Sequence, residues 1–366
     1  MKLRSTLAVL AAALIATVSS LAAETTRTLK LELSASAGAR FVVENLAGTM
    51  RVVPGAGDKV TATATIHAED AEAAAAMEFV QVVGEEGSPT LRVVYPLSRY
   101  GKIRYPGEES DEGFGSFVSD LFGGSNTTTK YAGEKVRIST SSGTLLYADV
   151  EVQLPRHSVE AIFRNLVGKL SGENLDGKIK FDSSSGDITI KDSKGELVAD
   201  TGSGDVKASN LEGSFKCDTG SGDCDLNGFR GESIECDVGS GDVSVRSVVS
   251  RRIKSGTGSG DVRVTDADVE EFLADTGSGS IELQARGSRL TRIKADTGSG
   301  DVHLRLDPEA TFEALADQGS GEIQNRFRDA EPIIKNREII GYRRGDARIR
   351  IDVDTGSGDL VLEPGT

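Results

Sequence analysis

The sequence predicts an all-β fold: a single-chain parallel β-solenoid, right-handed by default, with coils of 18–21 residues and a small N-terminal cap that holds one short helix. Three observations predict it. A Gly-Ser-Gly-Asp corner, or its Ser-Ser-Gly variant, recurs at a near-constant interval. Apolar residues alternate at period two on both sides of each corner. The composition suits thin stacked strands better than a thick core, with 43 Gly, 5% aromatics, no Trp and 37% apolar residues in a chain of 366.

Residues 1–23 read as an export signal. Lys2 and Arg4 form a positive start, Leu7 to Val18 an apolar stretch, and Ser20-Leu21-Ala22 or Leu21-Ala22-Ala23 a small-residue cleavage site. No Cys follows the cut, so no lipid anchor is expected there, and no later stretch is long and apolar enough to span a bilayer as a helix. The expected compartment lies outside the cytoplasm: periplasm, outer surface or medium. The formal charge is −15, and loss of Lys2 and Arg4 with the leader takes it to −17. So acidic a chain is not expected to bind nucleic acid through general electrostatics.

Residues 24–97 read as the N-terminal cap and a first degenerate coil. Ala39 to Gly55, "ARFVVENLAGTMRVVPG", alternates like a coil with a weakened corner, and "DKVTATATIHAED" continues as a strand. Asp70 to Val80, "DAEAAAAMEFV", predicts the helix, with Asp70 as cap and alanines as helix formers. "EFVQVVGEEGSPTLRVVYP" predicts two strands around a turn. A cap is needed because an open stack edge would recruit other chains.

Residues 98–135 break the pattern. Tyr100, Tyr105, Phe114, Phe117, Phe122 and Tyr131, a third of the chain's 18 aromatics, fall here among Gly, Ser, Asn and charge. The stretch predicts a flexible insertion, and Tyr100, Tyr105, Phe114, Phe117 and Phe122 are candidate anchors for a partner.

Residues 136–366 carry the repeats. The residue after each corner is Asp187, Asp205, Asp223, Asp242, Asp261, Ser280, Asp301, Glu322 or Asp359, with steps of 18, 18, 19, 19, 19, 21, 21 and 37. The last step is near two periods and predicts one copy that lost its marker. Each copy starts on an apolar residue: Leu197, Phe215, Ile234, Ile253, Phe272, Ile293, Phe312. Two places on sits a small or apolar one: Ala199, Cys217, Cys236, Ser255, Ala274, Ala295, Ala314. The corner glycines (Gly202, Gly204, Gly220, Gly222, Gly239, Gly241, Gly258, Gly260, Gly277, Gly279, Gly298 and Gly300) are expected to supply the positive φ that the bend between strands calls for. One copy buries too few apolar side chains to offset the ordering of its own backbone, so copies must pair and stack. The stretch 325–350 holds the chain's basic concentration, Arg326, Arg328, Lys335, Arg337, Arg343, Arg344, Arg348 and Arg350. It predicts a closing coil plus a hairpin over the exit end.

Repeated "DTGSGDV", a preceding "EDAEAA…FVQV" helix–strand unit and an export signal together resemble the bacterial putative-adhesin family of β-strand-repeat proteins, whose function is not assigned. The resemblance spans nearly all of residues 39–366. It implies a β-solenoid at the cell envelope and brings no catalytic residues with it.

Several motifs share their letters with known chemistry. Asp-Thr-Gly-Ser at Asp200, Asp218, Asp275, Asp296 and Asp354 matches the pepsin-like signature, but such enzymes need two carboxylates facing each other across a cleft, and stacking sets these in a row. Two files of acids flank the corner, and Asp200, Asp205, Asp218, Asp223, Asp237 and Asp242 are the candidates for a calcium ladder. Neighbours about 4.8 Å apart repel by about 0.9 kcal/mol even in water, so cations or turn N–H groups must offset them. The spacing is about twice that of calcium-binding nonapeptide rolls, which favours N–H groups. Cys217, Cys224 and Cys236 occupy inward positions; they read as buried thiols, with a Cys217–Cys224 bridge as the rival. His67, His157 and His303 lack metal-ligand spacing, and Arg344-Gly345-Asp346 is a three-letter match that chance explains.

The expected function is therefore non-enzymatic: an envelope binding or scaffold protein whose ligand is a protein or polysaccharide, with no cofactor required. The rival readings are a polysaccharide-active β-helix enzyme and a calcium-stabilised structural protein. Evenly repeated acids favour the first reading over an enzyme, which needs an irregular cluster in a groove.

Overall fold

The computed structural model describes residues 18–21, 24–34, 38–84, 87–106 and 127–365. They form an all-β protein, largely parallel, with one α-helix among the described residues. Two compact units divide the chain at Lys169 and Leu170. Of the predicted leader, only Val18–Leu21 is described, as a strand antiparallel to Glu24–Leu33.

In the first unit, Val60–Ala68 is the central strand, antiparallel to Glu24–Leu33 on one side and Thr144–Leu154 on the other. Its strict alternation turns Val60, Ala62, Ala64, Ile66 and Ala68 fully inward. Arg40–Ala47 pairs in parallel with Val159–Val167 and with Pro89–Val94. Where these strands end, Asn45 and Asn165 stack, both fully buried, with Asn45 Nδ2 donating to Asn165 Oδ1 at 3.0 Å. Asn165 Nδ2 donates to the Gly48 carbonyl at 2.8 Å, and Tyr95 donates its hydroxyl to Asn45 Oδ1 at 2.9 Å. Every buried polar group of this cluster thus has a partner.

The helix is shorter than expected, Ala71–Ala76. Asp70 caps it as predicted, its carboxylate accepting from the Ala73 N–H at 2.8 Å. It stops because the next residues return to period two: Glu78–Val83 is a strand antiparallel to Pro89–Val94. Arg27 closes the C-terminal end by donating to the carbonyls of Ala74, Ala75 and Met77 at 3.0–3.2 Å.

In the second unit the repeats pair with one another in parallel, residue for residue. Lys194–Ser203, Val206–Thr219, Cys224–Val238, Val243–Thr257 and Val262–Thr276 follow in succession. One inward column runs Leu197, Phe215, Ile234, Ile253, Phe272, Ile293. A second, across the corner, runs Val206, Cys224, Val243, Val262, Ile281, Val302. Every residue in both columns is at most 2% exposed, so the interior is a dry filament of small and medium side chains.

The corner glycines are required for a different reason from the one expected. None of the twelve has a φ between +20° and +160°. Crowding excludes a side chain instead: a Cβ on Gly222 would lie 2.2 Å from the carbonyl oxygen of Gly204, on Gly241 2.1 Å from that of Gly222, and on Gly260 2.0 Å from that of Gly241. Left-handed residues sit at another bend: Asn174, Asp192, Asn210, Ser247 and Asp266, with φ of 49–56°, and Gly228 in the same series. Two bends of different kind thus recur, one by close backbone stacking and one by αL geometry, and Gly177, Gly195 and Gly213, with φ of 111–149°, stack in a further column.

The C-terminal end departs from sequence order. Ile349–Thr355 inserts between Arg292–Thr297 and Phe312–Gln318, parallel to both. Leu360–Pro364 likewise lies between Val302–Leu306 and Ile323–Asn325. The step of 37 is thus not a copy that lost its marker. It contains an antiparallel hairpin, Glu331–Lys335 with Glu338–Arg344, whose second strand also pairs antiparallel with Phe312–Gln318. The register corrects one alignment as well. Ala314 and Ala316, not Phe312 and Ala314, continue the columns of Ile351 and Val353. Phe312 pairs with Ile349 and packs edge-on against Phe327 at 5.1 Å.

Candidate functional site

The repeats present an ordered exposed feature, the acid-bearing corner. Inward threonines tie the corner down: Thr219 Oγ1 donates to the Gly204 carbonyl at 3.1 Å, Thr257 to Gly241 at 2.8 Å, Thr276 to Gly260 at 2.9 Å and Thr297 to Gly279 at 2.8 Å. The second acid file is a ladder. Asp187, Asp205, Asp223 and Asp242 each accept, through Oδ1, the backbone N–H of the next acid up the stack (Asp205, Asp223, Asp242 and Asp261) at 2.8–3.0 Å. Asp261 accepts from Ser280 at 2.8 Å, Asp301 from Asp359 at 2.9 Å, and Asp359 from Glu322 at 2.8 Å. The ladder follows the spatial order through the inserted strand, not the sequence order.

The first acid file, Asp200, Asp218, Asp237, Asp275, Asp296 and Asp354, lies on the outer face, with Gly256 interrupting it between Asp237 and Asp275. Lys180 reaches Asp200 at 2.6 Å. Around the gap, Glu235, Asp237, Lys254, Gly256, Asp275 and Lys294 line an open cavity of about 390 Å³. Cations bridge successive repeats, Lys254 to Glu235 at 2.9 Å within this cavity lining, and Lys178 to Glu196 at 3.3 Å, Arg252 to Glu271 at 2.7 Å and Arg263 to Glu282 at 2.9 Å. The calcium-ladder candidates Asp200, Asp205, Asp218, Asp223, Asp237 and Asp242 do not converge. Among the described residues no three carboxylate, imidazole or thiol groups are placed to hold one metal ion. The physical reason is that the files run along the stack, and one of them is turned onto backbone N–H groups.

The aromatic candidates separate. Tyr105 is 3% exposed, its ring 5.2 Å from that of Tyr147, so it is a core residue and not an anchor for a partner. Tyr131 is also buried and donates to the Val93 carbonyl at 2.7 Å. Tyr100 is half-buried beneath the Arg99 guanidinium, 5.1 Å from its ring centre. Phe114, Phe117 and Phe122 lie outside the described residues. The ends of the predicted insertion are strands, Lys102–Arg104 and Thr127–Tyr131, paired to the two sides of Glu134–Ser139.

Cys217, Cys224 and Cys236 are free and buried, so the rival Cys217–Cys224 bridge is absent. Cys224 and Cys236 approach to 3.6 Å between sulfurs across one repeat, and burial pushes the Cys217 and Cys224 thiols well above their ordinary range. The Arg344-Gly345-Asp346 tripeptide is not presented: Arg344 donates to the Pro308 and Ala310 carbonyls at 2.7 Å and pairs with Asp329.

Sequence reasoning missed a cluster in the first unit. His67 stands between Glu24 (Nδ1 to Oε1, 2.5 Å) and Asp149 (Nε2 to Oδ2, 3.1 Å) and stacks flat on Tyr147 at 4.5 Å. Burial alone would lower the His67 pKa, but hydrogen bonds to Asp149 and Glu24 outweigh it and raise it. Asp149, which also accepts from the Thr49 amide and hydroxyl at 2.8 Å, is held below the usual carboxylate range despite burial. A raised histidine stabilises the folded state below the unfolded value near pH 6.5, and that contribution is lost as pH rises through the folded value. The lowered aspartate contributes above its unfolded value and loses its effect as pH falls through the folded one. His67→Gln should therefore cost about 1–3 kcal/mol near pH 5 and much less near pH 8.5. Melting of wild type and variant across pH checks this; an equal loss at both pH values would refute it.

These features define a class of protein: an all-β chain of parallel repeats, cross-tied at most corners by threonine or aspartate. The chain belongs to the Toastrack DUF4097 family, whose model matches residues 126–363, so the resemblance drawn from the repeats holds. No curated protein sequence matches it. Among solved structures, a putative cell adhesion protein from Clostridium sporogenes ATCC 15579 aligns at 8% identity and TM-score 0.24, covering 93% of this chain and 100% of that one. A putative lipid binding protein from Parabacteroides distasonis ATCC 8503 aligns at 13% identity and TM-score 0.37, covering 92% of this chain and 96% of that one.

Proposed function

We propose that the chain is an exported, non-enzymatic binding or scaffold protein of the cell envelope, and that its second unit is a β-solenoid. The in-register parallel pairing of one repeat on the next supports the solenoid. The observation that carries the functional reading is the aspartate ladder. A catalytic carboxylate needs a free oxygen beside a reacting atom and a partner of different pKa. Here the conspicuous acids are repeated evenly, and the second file is tied to backbone N–H groups from rung to rung. What remains is a long, regular, charged face, suited to binding an extended protein or polysaccharide.

The test is fractionation of the source cells, with N-terminal sequencing of the mature chain and exposure of purified protein to envelope polysaccharides. The expected result is a chain beginning after Ala22 or Ala23, found outside the cytoplasm, that retains polysaccharide or protein without releasing new reducing ends. An uncleaved cytoplasmic chain would overturn export. Reducing-end release that Asp→Asn substitutions in the first file abolish would overturn the non-enzymatic reading.

A further inference from the structure

We propose that the hairpin Glu331–Lys335/Glu338–Arg344 is a tip-first docking element for an anionic lipid bilayer. The hairpin borders the stacked face, where Lys335 and Ile340 line an open cavity with Lys294, Asp317, Asp352 and Asp354. Ile334 and Ile339 pair directly across the hairpin, one step from the turn, and are 63% and 48% exposed. Among the described residues only Val83 joins them as a large hydrophobic side chain so open to solvent. Two adjacent exposed isoleucines beside the turn form an apolar wedge.

The turn between them is built for charge. Asn336 and Arg337 both have positive φ, 55° and 74°, which makes a two-residue turn whose second position ordinarily belongs to glycine. An arginine held there against its backbone preference puts a guanidinium at the extreme tip. Lys335 and Arg337 are exposed, Glu338 pairs across the hairpin from Lys335, and among the described residues neither cation is within 4.0 Å of a carboxylate oxygen. By contrast, Arg343 and Arg344 farther down the same hairpin are paired with Glu313 and Asp329.

Charge complementarity selects the occupant. Residues 326–350 hold eight Lys and Arg against four Asp and Glu, in a chain whose net charge is −15. Arg326, Arg343, Arg344, Arg348 and Arg350 are ion-paired, so Arg328, Lys335 and Arg337 are the cations that orient this element toward an anionic surface, which repels the acidic remainder. A protein partner ordinarily buries about 800 Å² per side in a shaped contact, far more than two isoleucines and two cations offer. A bilayer needs no shape complement: apolar side chains enter the headgroup boundary while Lys and Arg extend to the phosphates.

The experiment is co-sedimentation of the full chain with phosphatidylcholine vesicles, with and without phosphatidylglycerol, over a range of salt. Wild type should pellet with the anionic vesicles, less so as salt rises, and not with phosphatidylcholine alone. Lys335→Glu/Arg337→Glu and Ile334→Ser/Ile339→Ser should each weaken binding about tenfold or more. Val83→Ser, which removes the other exposed hydrophobic, should leave it unchanged, and far-UV circular dichroism confirms that each variant folds. Wild type that ignores anionic vesicles overturns the proposal, as do double variants that bind like wild type. Capture of an envelope protein through the hairpin without any vesicle binding overturns it too, and reassigns the tip to a protein partner.

Discussion

Gly300→Ala should destabilise the second unit by about 3–5 kcal/mol, the exceptional end of single substitutions. A Cβ there would sit 1.9 Å from the carbonyl oxygen of Gly279 and 2.3 Å from its carbonyl carbon. Both atoms are backbone, so relief requires parting two paired repeats and breaking the bonds on each side of the corner, including Thr297 to Gly279. The informative comparison is Gly256→Ala, in the same stack. There the nearest atom to an added Cβ is the Asp275 carbonyl oxygen at 3.9 Å, and φ lies outside the left-handed range. That substitution should be neutral or stabilising by up to about 1 kcal/mol, through the restricted unfolded chain. Denaturant midpoints followed by far-UV circular dichroism separate the two. Equal midpoints would mean that crowding is not what reserves the corner for glycine.

Removing Arg348–Thr366 should cost more than any point substitution. The lost strands carry Ile351, Leu360 and Leu362, each fully buried, together with Val353, and their burial alone is worth more than about 5 kcal/mol. Position adds to the effect. Because Ile349–Thr355 lies between two other strands, its loss strips Phe312–Gln318 of its parallel partner and breaks the Asp301–Asp359–Glu322 run of the ladder. Hydrogen exchange should show fast exchange through 312–345 with protection retained in 206–276. Protection surviving at 312–318 would contradict the inserted arrangement.

Much of this molecule was legible because its signals are periodic. The inward columns, the corners and the offset of acid repulsion by turn N–H groups follow from residues that recur in phase, and the cap at Asp70 from a local aspartate before an alanine run. The role of the corner glycines was misread because a missing side chain looks the same whether torsion or crowding demands it. The left-handed bend was hidden because four residue types share the position. The sequences Asn174-Leu175-Asp176-Gly177 and Asn210-Leu211-Glu212-Gly213 repeat it openly, and Asn45-Leu46-Ala47-Gly48 and Asn165-Leu166-Val167-Gly168 carry the same letters to the paired asparagines. The His67 cluster joins strands far apart in sequence, and no local pattern announces it. The inserted strand was illegible for a deeper reason: each marker declares a repeat but not its neighbours, and any order of equivalent repeats satisfies the same columns.

That interchangeability has a consequence for synthesis. A stack that grew only by addition could settle each layer as it left the ribosome or a translocation pore. Here Phe312–Gln318 emerges before Ile349–Thr355 and yet lies beyond it, so its final berth does not exist until later residues arrive. The last-made segment acts as a keystone: assembly of this end waits for a finished polypeptide, and an interrupted product is left with an unfilled slot that quality-control proteases can find.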